Sequence, residues 1–373
     1  MPQLKTDYKQ VKENSVQGRY VTNLEVFPFL DKVAKKFLVL NIGSSVLEKE
    51  IKMITLGSGK KKILMWSQMH GNESTTTKAV LDFINLLNSS DELATYIKET
   101  CTIKIIPILN PDGAAAYTRI NANDVDLNRD AQDRSQPESK VLRAIYNDFK
   151  PDYCFNLHDQ RTIFNTADTP KPATVSFLAP AHDEERNISA TRAVSMQIIV
   201  AMNTMLQKHI PGQVGRYDDG FNRNCVGDAF QMLNTPTILF ESGHFPEDYQ
   251  REKTREYIYY SIVKGVDVIA NNSVNDYTIE DYSAIPENNK LFFDILITNA
   301  EELNPSFHKN TSVGLLFKEI LKGKTIQFLP SIENKGKLDI YYGHKTYNCL
   351  NKTDLERLKS EENVVKLLLS DSF

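Results

Sequence analysis

A histidine and a carboxylate three residues apart can hold one ion, because both side chains then project from one face of a turn. The sequence carries that spacing three times: His70 with Glu73, His182 with Glu185, and His244 with Glu247. His182 stands in a charged stretch that reads as an exposed helix start. The His244 copy has Pro246 inside the would-be chelate. His70 follows the apolar run 62–69 directly, on a tight Gly71-Asn72 loop, with helix-capping residues beginning at Ser74. Ligand sites in open α/β sheets lie beyond the carboxyl ends of the strands, where such a loop falls. His158 closes a second apolar run, Tyr153-Cys154-Phe155-Asn156-Leu157. His70, Glu73 and His158 together have the His₂Glu composition of a hydrolytic zinc site with one open position, one ion per chain. Each alone reads equally well as a hydrogen-bonded or solvated side chain.

Hydrolysis at such a site also requires a base. Glu241 ends the run Pro236-Thr237-Ile238-Leu239-Phe240, which would deliver a carboxylate to the same rim and desolvate it, raising its pKa towards useful values. A glutamate capping a surface turn would look the same. The densest polar stretch is Asn110-Pro111-Asp112-Gly113, a turn by its own chemistry, followed by residues 119–130 with Arg119, Asp126, Asn128 and Arg129. Arginines among small polar residues suit bidentate binding of a carboxylate, and a solvated, ion-paired loop is the competing reading. Gly57-Ser58-Gly59-Lys60 and Gly323-Lys324-Thr325 lack the upstream glycine of a phosphate-binding loop, and no nucleophile-elbow motif is present.

The elements that would position these residues alternate. Residues 24–36, 74–87, 137–149, 184–208 and 247–271 carry helical patterns. Runs 51–56, 62–69, 102–109, 153–157, 174–178 and 237–240 read as strands, several of them continuously apolar. Residues 57–61 predict a hairpin turn between the first two strands. Alternation of this kind gives an α/β sheet covered on both faces. Beyond the turn-rich, linker-like stretch 271–277, strands at 291–297, 325–329 and 338–342 and a closing helix over 353–369 predict a smaller β-rich or α+β unit. The expected division is 1–274 and 275–373. Packing against the first unit is the simplest role for the second, with substrate gating behind it.

The chain has 373 residues, 44 Lys+Arg against 48 Asp+Glu, and a net charge of −4, so no basic excess exists for general nucleic-acid binding. No run approaches the length a membrane span requires. Four scattered cysteines without a C-x-x-C pair fit reduced thiols, and the polar start does not read as a secretory leader. A soluble, cytoplasmic protein is expected; nothing in the sequence specifies an oligomeric state.

Taken in order, His70-Gly71-Asn72-Glu73, Asn110-Pro111-Asp112-Gly113, Arg119, Asp126-Leu127-Asn128-Arg129, His158 and Glu241 resemble the zinc carboxypeptidase family, the carboxypeptidase A-like metallopeptidases, over roughly residues 17–270. The resemblance implies a three-layer α/β/α fold around a mixed eight-stranded sheet with one zinc ion. It implies His70, Glu73 and His158 as ligands, with Asp126 orienting the first histidine. Arg119 would then stabilise the oxyanion, and Asn128 with Arg129 would grip the free C-terminal carboxylate of a peptide. Glu241 matches the general base, and Tyr217 is the nearest counterpart of a mobile pocket tyrosine. The expected activity is hydrolysis of the C-terminal peptide bond. A zinc amidohydrolase acting on N-acyl amino acids or cell-wall peptides is the alternative, and a non-catalytic peptide-binding protein on the same fold is a second.

Overall fold

In the computed structural model, residues 4–370 are described. Eight strands make the main sheet: β1 (Leu38–Ser44), β2 (Glu50–Leu56), β3 (Lys61–Ser67), β4 (Cys101–Ile106), β5 (Tyr153–Asp159), β6 (Val175–Leu178), β7 (Val214–Arg216) and β8 (Thr237–Ser242). Their order is β1-β2-β4-β3-β5-β8-β6-β7. The central four, β4, β3, β5 and β8, run parallel, while β1, β2 and β6 make the antiparallel pairings. Central parallel strands are buried on both faces, which is why β3, β5 and β8 read as unbroken apolar runs.

Alternate residues of one strand feed two cores. Ile63 and Met65 of β3 pack beneath the helices Thr75–Asn88, Ala190–Leu206 and Glu252–Ala270. Leu64 and Trp66 pack with Leu142, Phe149 and Phe230 from the helices Pro137–Phe149 and Val226–Met232 on the opposite face. The result is the expected mixed sheet between two helical layers. A helix also occupies Asn23–Val33, started by a reciprocal capping box of Thr22 and Glu25.

The expected hairpin between β2 and β3 does not form. Strand β4 lies between them, and the turn residues bond to its entry instead: Ser58 N–H donates to Lys98 O at 2.9 Å and Gly59 N–H to Cys101 O at 3.1 Å. A Cβ at Gly59 would lie 1.9 Å from the Thr100 carbonyl carbon, so glycine permits this close crossing. The edge strand β1 escaped the sequence reading because its exposed and half-buried positions mix without strict alternation.

A second sheet follows, from β9 (Phe292–Thr298), β10 (Ser312–Lys322), β11 (Thr325–Gly336) and β12 (Tyr342–Asn348), ordered β11-β10-β9-β12. Strand β10 was not expected, since Gly314 interrupts its pattern. That glycine makes room for the Phe293 ring, which would lie 2.5 Å from an added Cβ. Strand β11 continues to Gly336, past the expected 325–329, and the closing helix is two helices, Lys352–Lys359 and Glu362–Leu369. Ile295, Ile297, Val313 and Leu315 bury against Leu358 and Leu368 of these helices. The stretch 271–277 runs against the main core, which takes in Val274 and, further on, Tyr282 and Ile285. The second sheet is joined to the first by pairing of Asn288–Asn289 with Asn165–Thr166, and by Phe292 N–H donating to Ile163 O at 3.1 Å.

Candidate metal centre

The loop after β3 carries His70 and Glu73. It is held by Gln68, a buried residue at φ 44°, whose Nε2 donates to Val21 O at 2.9 Å and Gly71 O at 2.8 Å. The expected turn at Asn110–Gly113 is instead the N-cap and first turn of a helix, Pro111–Ala116, and Gly71 meets it so closely that a Cβ would lie 1.9 Å from the Gly113 carbonyl carbon. Asn110 secures that turn by accepting from Gly113 N–H at 2.8 Å, and its Nδ2 donates to Met69 O at 3.3 Å. The Asn-Pro-Asp-Gly motif therefore buttresses the loop that carries His70.

At the end of β5 stand His158 and Asp159. Asp159 accepts from Thr75 N–H at 2.9 Å at the start of the helix Thr75–Asn88, fastening β5 to the element behind Glu73. Arg251 clamps the ends of β5 and β8: Nη1 donates to Ser242 O at 2.6 Å and Nη2 to Gln160 O at 2.9 Å. Asp159 and Arg251 had no local sequence signal, because what makes them important is contact across strands.

His70 Nδ1, the Glu73 carboxylate and His158 Nδ1 converge, with ligand atoms all within 4.8 Å of one another. His70 Nδ1 lies 2.8 Å from Glu73 Oε1, and His158 Nδ1 lies 2.8 Å from Glu73 Oε2 and 3.0 Å from His70 Nδ1. His70 Nε2 faces Asp126 Oδ1 at 3.0 Å. An ionised carboxylate only accepts, so that contact assigns the ring proton to Nε2 and leaves Nδ1 bare. Burial opposes ionisation of Glu73, but the two histidines outweigh it and hold its carboxyl far below the usual range. Burial pushes the His158 imidazole below its ordinary value, favouring the neutral ring that ligates. Burial would lower His70 as well, yet Glu73 and Asp126 carry the net shift upward. Bare lone pairs facing one another are what a divalent cation stabilises, and a two-nitrogen, one-carboxylate set suits zinc.

The other anticipated residues gather around this cluster. Arg119 donates from Nη1 to Glu73 Oε1 and from Nε to Asp126 Oδ2, both at 3.1 Å, with 47 % of its side chain exposed in the cleft. Glu241 is buried, and its Oε2 has no hydrogen-bond partner. Burial first, then the Glu73 and Asp159 carboxylates, push its pKa well above the ordinary value. A cavity of about 470 Å³ adjoins the cluster, bordered by Asn128, Arg129, Tyr217 and Glu241. Asn128 Oδ1 accepts from Val226 N–H at 3.0 Å, and Arg129 Nη1 donates to Asn128 O at 2.9 Å. Tyr217 packs on Phe164 with ring centroids 5.4 Å apart. Also lining it are Leu239, the buried and unpartnered amide of Asn156, and Asp228, whose carboxyl burial pushes up to about 7.

The remaining histidine–glutamate pairs are not brought together with this cluster. His182 pairs with Asp183 at 3.2 Å on a loop, the adjoining helix beginning only at Ala190. His244 is buried against His344, ring centroids 4.2 Å apart, whereas Glu247 is exposed. Further along from His158, Arg161 borders the cleft, while buried Asn165 donates from Nδ2 to Ala167 O and Thr169 O.

A family profile described as zinc carboxypeptidase matches residues 29–166, a span that contains His70, Glu73, Arg119, Asp126, Asn128, Arg129 and His158. Over that span the chain is similar to the zinc carboxypeptidase family. Among curated carboxypeptidases, mouse cytosolic carboxypeptidase 6 is 28 % identical over 159 residues, covering 37 % of this chain and 29 % of the relative. Carboxypeptidase SOL1 of Arabidopsis thaliana is 31 % identical over 150 residues, 33 % of this chain and 30 % of that protein. The match thus spans under a third of either relative's length. Among solved carboxypeptidases, a metallo-carboxypeptidase from Burkholderia cenocepacia superposes with a TM-score of 0.55 at 18 % identity, over 68 % of this chain and 70 % of that one. Thrombin-activatable fibrinolysis inhibitor superposes with a TM-score of 0.53 at 13 % identity, over 72 % and 82 %. Both structures share the fold of the main sheet.

Proposed function

We propose that this chain is a zinc-dependent metallocarboxypeptidase that removes the C-terminal residue of peptides, its catalytic unit lying within residues 1–274. The observation that carries the reading is the buried, unpartnered Oε2 of Glu241 beside a His70–Glu73–His158 cluster at one end of a cleft whose other residues include Arg129. His70, Glu73 and His158 would hold one zinc ion, with Asp126 fixing the tautomer of His70. When bound, that ion supplies Lewis-acid polarisation of the scissile carbonyl and acidification of a water.

The chain's own residues do the rest. Arg129 and Asn128 bind the substrate's free carboxylate and so set which bond lies over the cluster. Arg119 donates to the carbonyl oxygen as negative charge builds there. Glu241 takes a proton from the attacking water as the C–O bond forms, then gives it to the leaving nitrogen as the C–N bond breaks. Tyr217, on the cavity wall, would cover the bound residue. Free thiols, the cytosolic label of the mouse relative, and the lack of any helix long and apolar enough to cross a membrane among the described residues support a cytoplasmic setting. The net charge of −4 gives no support to nucleic acid as a partner.

The test is mass spectrometry of a mixed peptide library incubated with zinc-loaded protein, beside Glu241→Gln. Loss of single C-terminal residues by the wild type and not by the variant is expected. An untouched library with one zinc bound per chain would overturn the peptidase reading and direct attention to N-acyl amino acids.

A further inference from the structure

A second cavity, about 400 Å³, lies across Glu73 and Arg119 from the one that holds Asn128 and Arg129. Asp159, Gln160 and Arg161 border both, so the two are halves of one cleft meeting at the cluster. Its outer wall comes from the second sheet. Phe317 of β10 and Phe328 of β11 are half-buried, and with Tyr249 they form a set of tilted rings: Tyr249 stands 5.2 Å from Phe317 and 5.3 Å from Phe328. Leu316 continues the apolar surface.

This wall is pinned in place. Glu319, two residues beyond Phe317, is gripped by the buried Arg19 at 3.1 Å and by the Tyr117 hydroxyl. Asp294 of β9 accepts from Tyr249 Oη at 2.9 Å and from Phe317 N–H at 2.8 Å. Half-buried aromatic rings facing a cavity, with their backbone tied down, make a preformed apolar surface. Covering it releases water at little ordering cost.

We infer that the β10–β11 hairpin forms the subsite for the residue on the acyl side of the scissile bond, and that it selects an apolar or aromatic side chain there. The inference rests on the carboxypeptidase reading. A peptide held by its carboxylate at Arg129, with its scissile carbonyl at Arg119, has to continue past Arg119, and the space beyond Arg119 is this cavity. The second sheet would then be part of the specificity machinery rather than a packing domain.

The experiment uses the full-length, zinc-loaded Glu241→Gln protein, so that binding is read without turnover. Two pools of acetylated dipeptides are offered together, one with Phe and one with Gly before a fully varied C-terminal residue, and retained ligands are counted by mass spectrometry. Phe-pool members should be retained about tenfold over Gly-pool members, the scale of covering one ring. Adding Phe317→Ala should bring that ratio near one while leaving the ranking of C-terminal residues unaltered. Phe328→Leu, which keeps an apolar side chain in the wall, should give an intermediate ratio. An acyl-side ratio unmoved by either substitution, or no preference in the parent, overturns the inference, as does failure to retain either pool. If the preference appears as expected but wild-type protein hydrolyses neither pool, the peptidase reading falls, and what stands is an apolar binding site on the hairpin for the residue before a bound C-terminal one.

Discussion

His158 and Glu241 are register partners on the adjacent parallel strands β5 and β8. Their Cα atoms are thus one strand spacing apart, roughly 4.8 Å, and both are the last residues but one of their strands. The clamp of Arg251 on both strand ends keeps this register where the ladder would otherwise fray. The proposed base therefore stands beside a proposed ligand by virtue of the sheet, not of a flexible loop.

That placement makes the length of the Glu241 side chain critical. Glu241→Asp withdraws the carboxylate by one methylene, and a displacement near 1 Å can cost on the order of 100-fold in rate. A loss of about that size in kcat, with zinc content by elemental analysis unchanged, is expected. Unchanged kcat would remove Glu241 from the proton-transfer role.

Asp126 fixes His70 by its contact at 3.0 Å and is itself held by Arg119 and by Asn128 N–H at 2.9 Å. Asp126→Asn removes the charge and lets either tautomer of His70 form. Partners of this kind typically contribute about 10–100-fold in metal affinity. Competition with a zinc chelator should show a loss in that range; an unaltered affinity would make the contact incidental.

Arg129 is exposed in the cleft and carries no ion-pair partner among the described residues, its Nη1 being engaged by Asn128 O and Cys225 Sγ. With Arg129→Ala, kcat/KM on peptides with free C-termini should fall by roughly 10–100-fold, the worth of a charge-assisted bond. Amidated peptides, already poor substrates, should hardly change. Equal rates on both classes in the variant and in the wild type would sink the clamp.

Away from the cleft, Glu252 joins Lys12, at the end of a short helix over Tyr8–Val11, to the main body. It accepts from buried Lys78 at 2.6 Å and pairs with Lys12 at 2.8 Å and Arg255 at 3.2 Å. Burial opposes ionisation, but Lys78 and its neighbours prevail and lower the carboxyl to about 2 from an ordinary 4.5. A depressed carboxylate contributes stability that is present above the unfolded pKa and lost as pH falls through the folded one. Glu252→Gln should therefore be less stable than wild type by on the order of 2–3 kcal/mol at pH 7. Denaturant titrations should show that gap closing between pH 5 and pH 2. A gap independent of pH would mean the loss comes from packing rather than charge.

Local chemistry was legible wherever it was carried by contiguous residues. His70 and Glu73 could be read as a chelate and the apolar runs of β3, β5 and β8 as buried strands, whereas Asn110–Gly113, read as a turn, is the capped start of a helix. The hairpin expected at 57–61 failed because turn residues report that the chain reverses, not which strand it then pairs with. Here β4, some forty residues later in sequence, takes the place between β2 and β3. Strand β10 was hidden by Gly314, whose reason for being glycine is a ring on the neighbouring strand.

By itself the sequence determined an α/β chain, its buried strands to within about three residues at their ends, and an ordered series of motifs pointing to zinc hydrolysis. Three histidine–glutamate pairs with identical spacing looked alike at that level. Tertiary structure decided among them, because a metal site needs lone pairs from distant segments brought within a few ångströms, and only parallel pairing of β3 with β5 brings His158 to His70 and Glu73. It also decided that the second sheet stands beside the cleft, since the meeting of Phe317, Phe328 and Tyr249 depends on how distant segments dock, for which periodicity along a single strand carries no information.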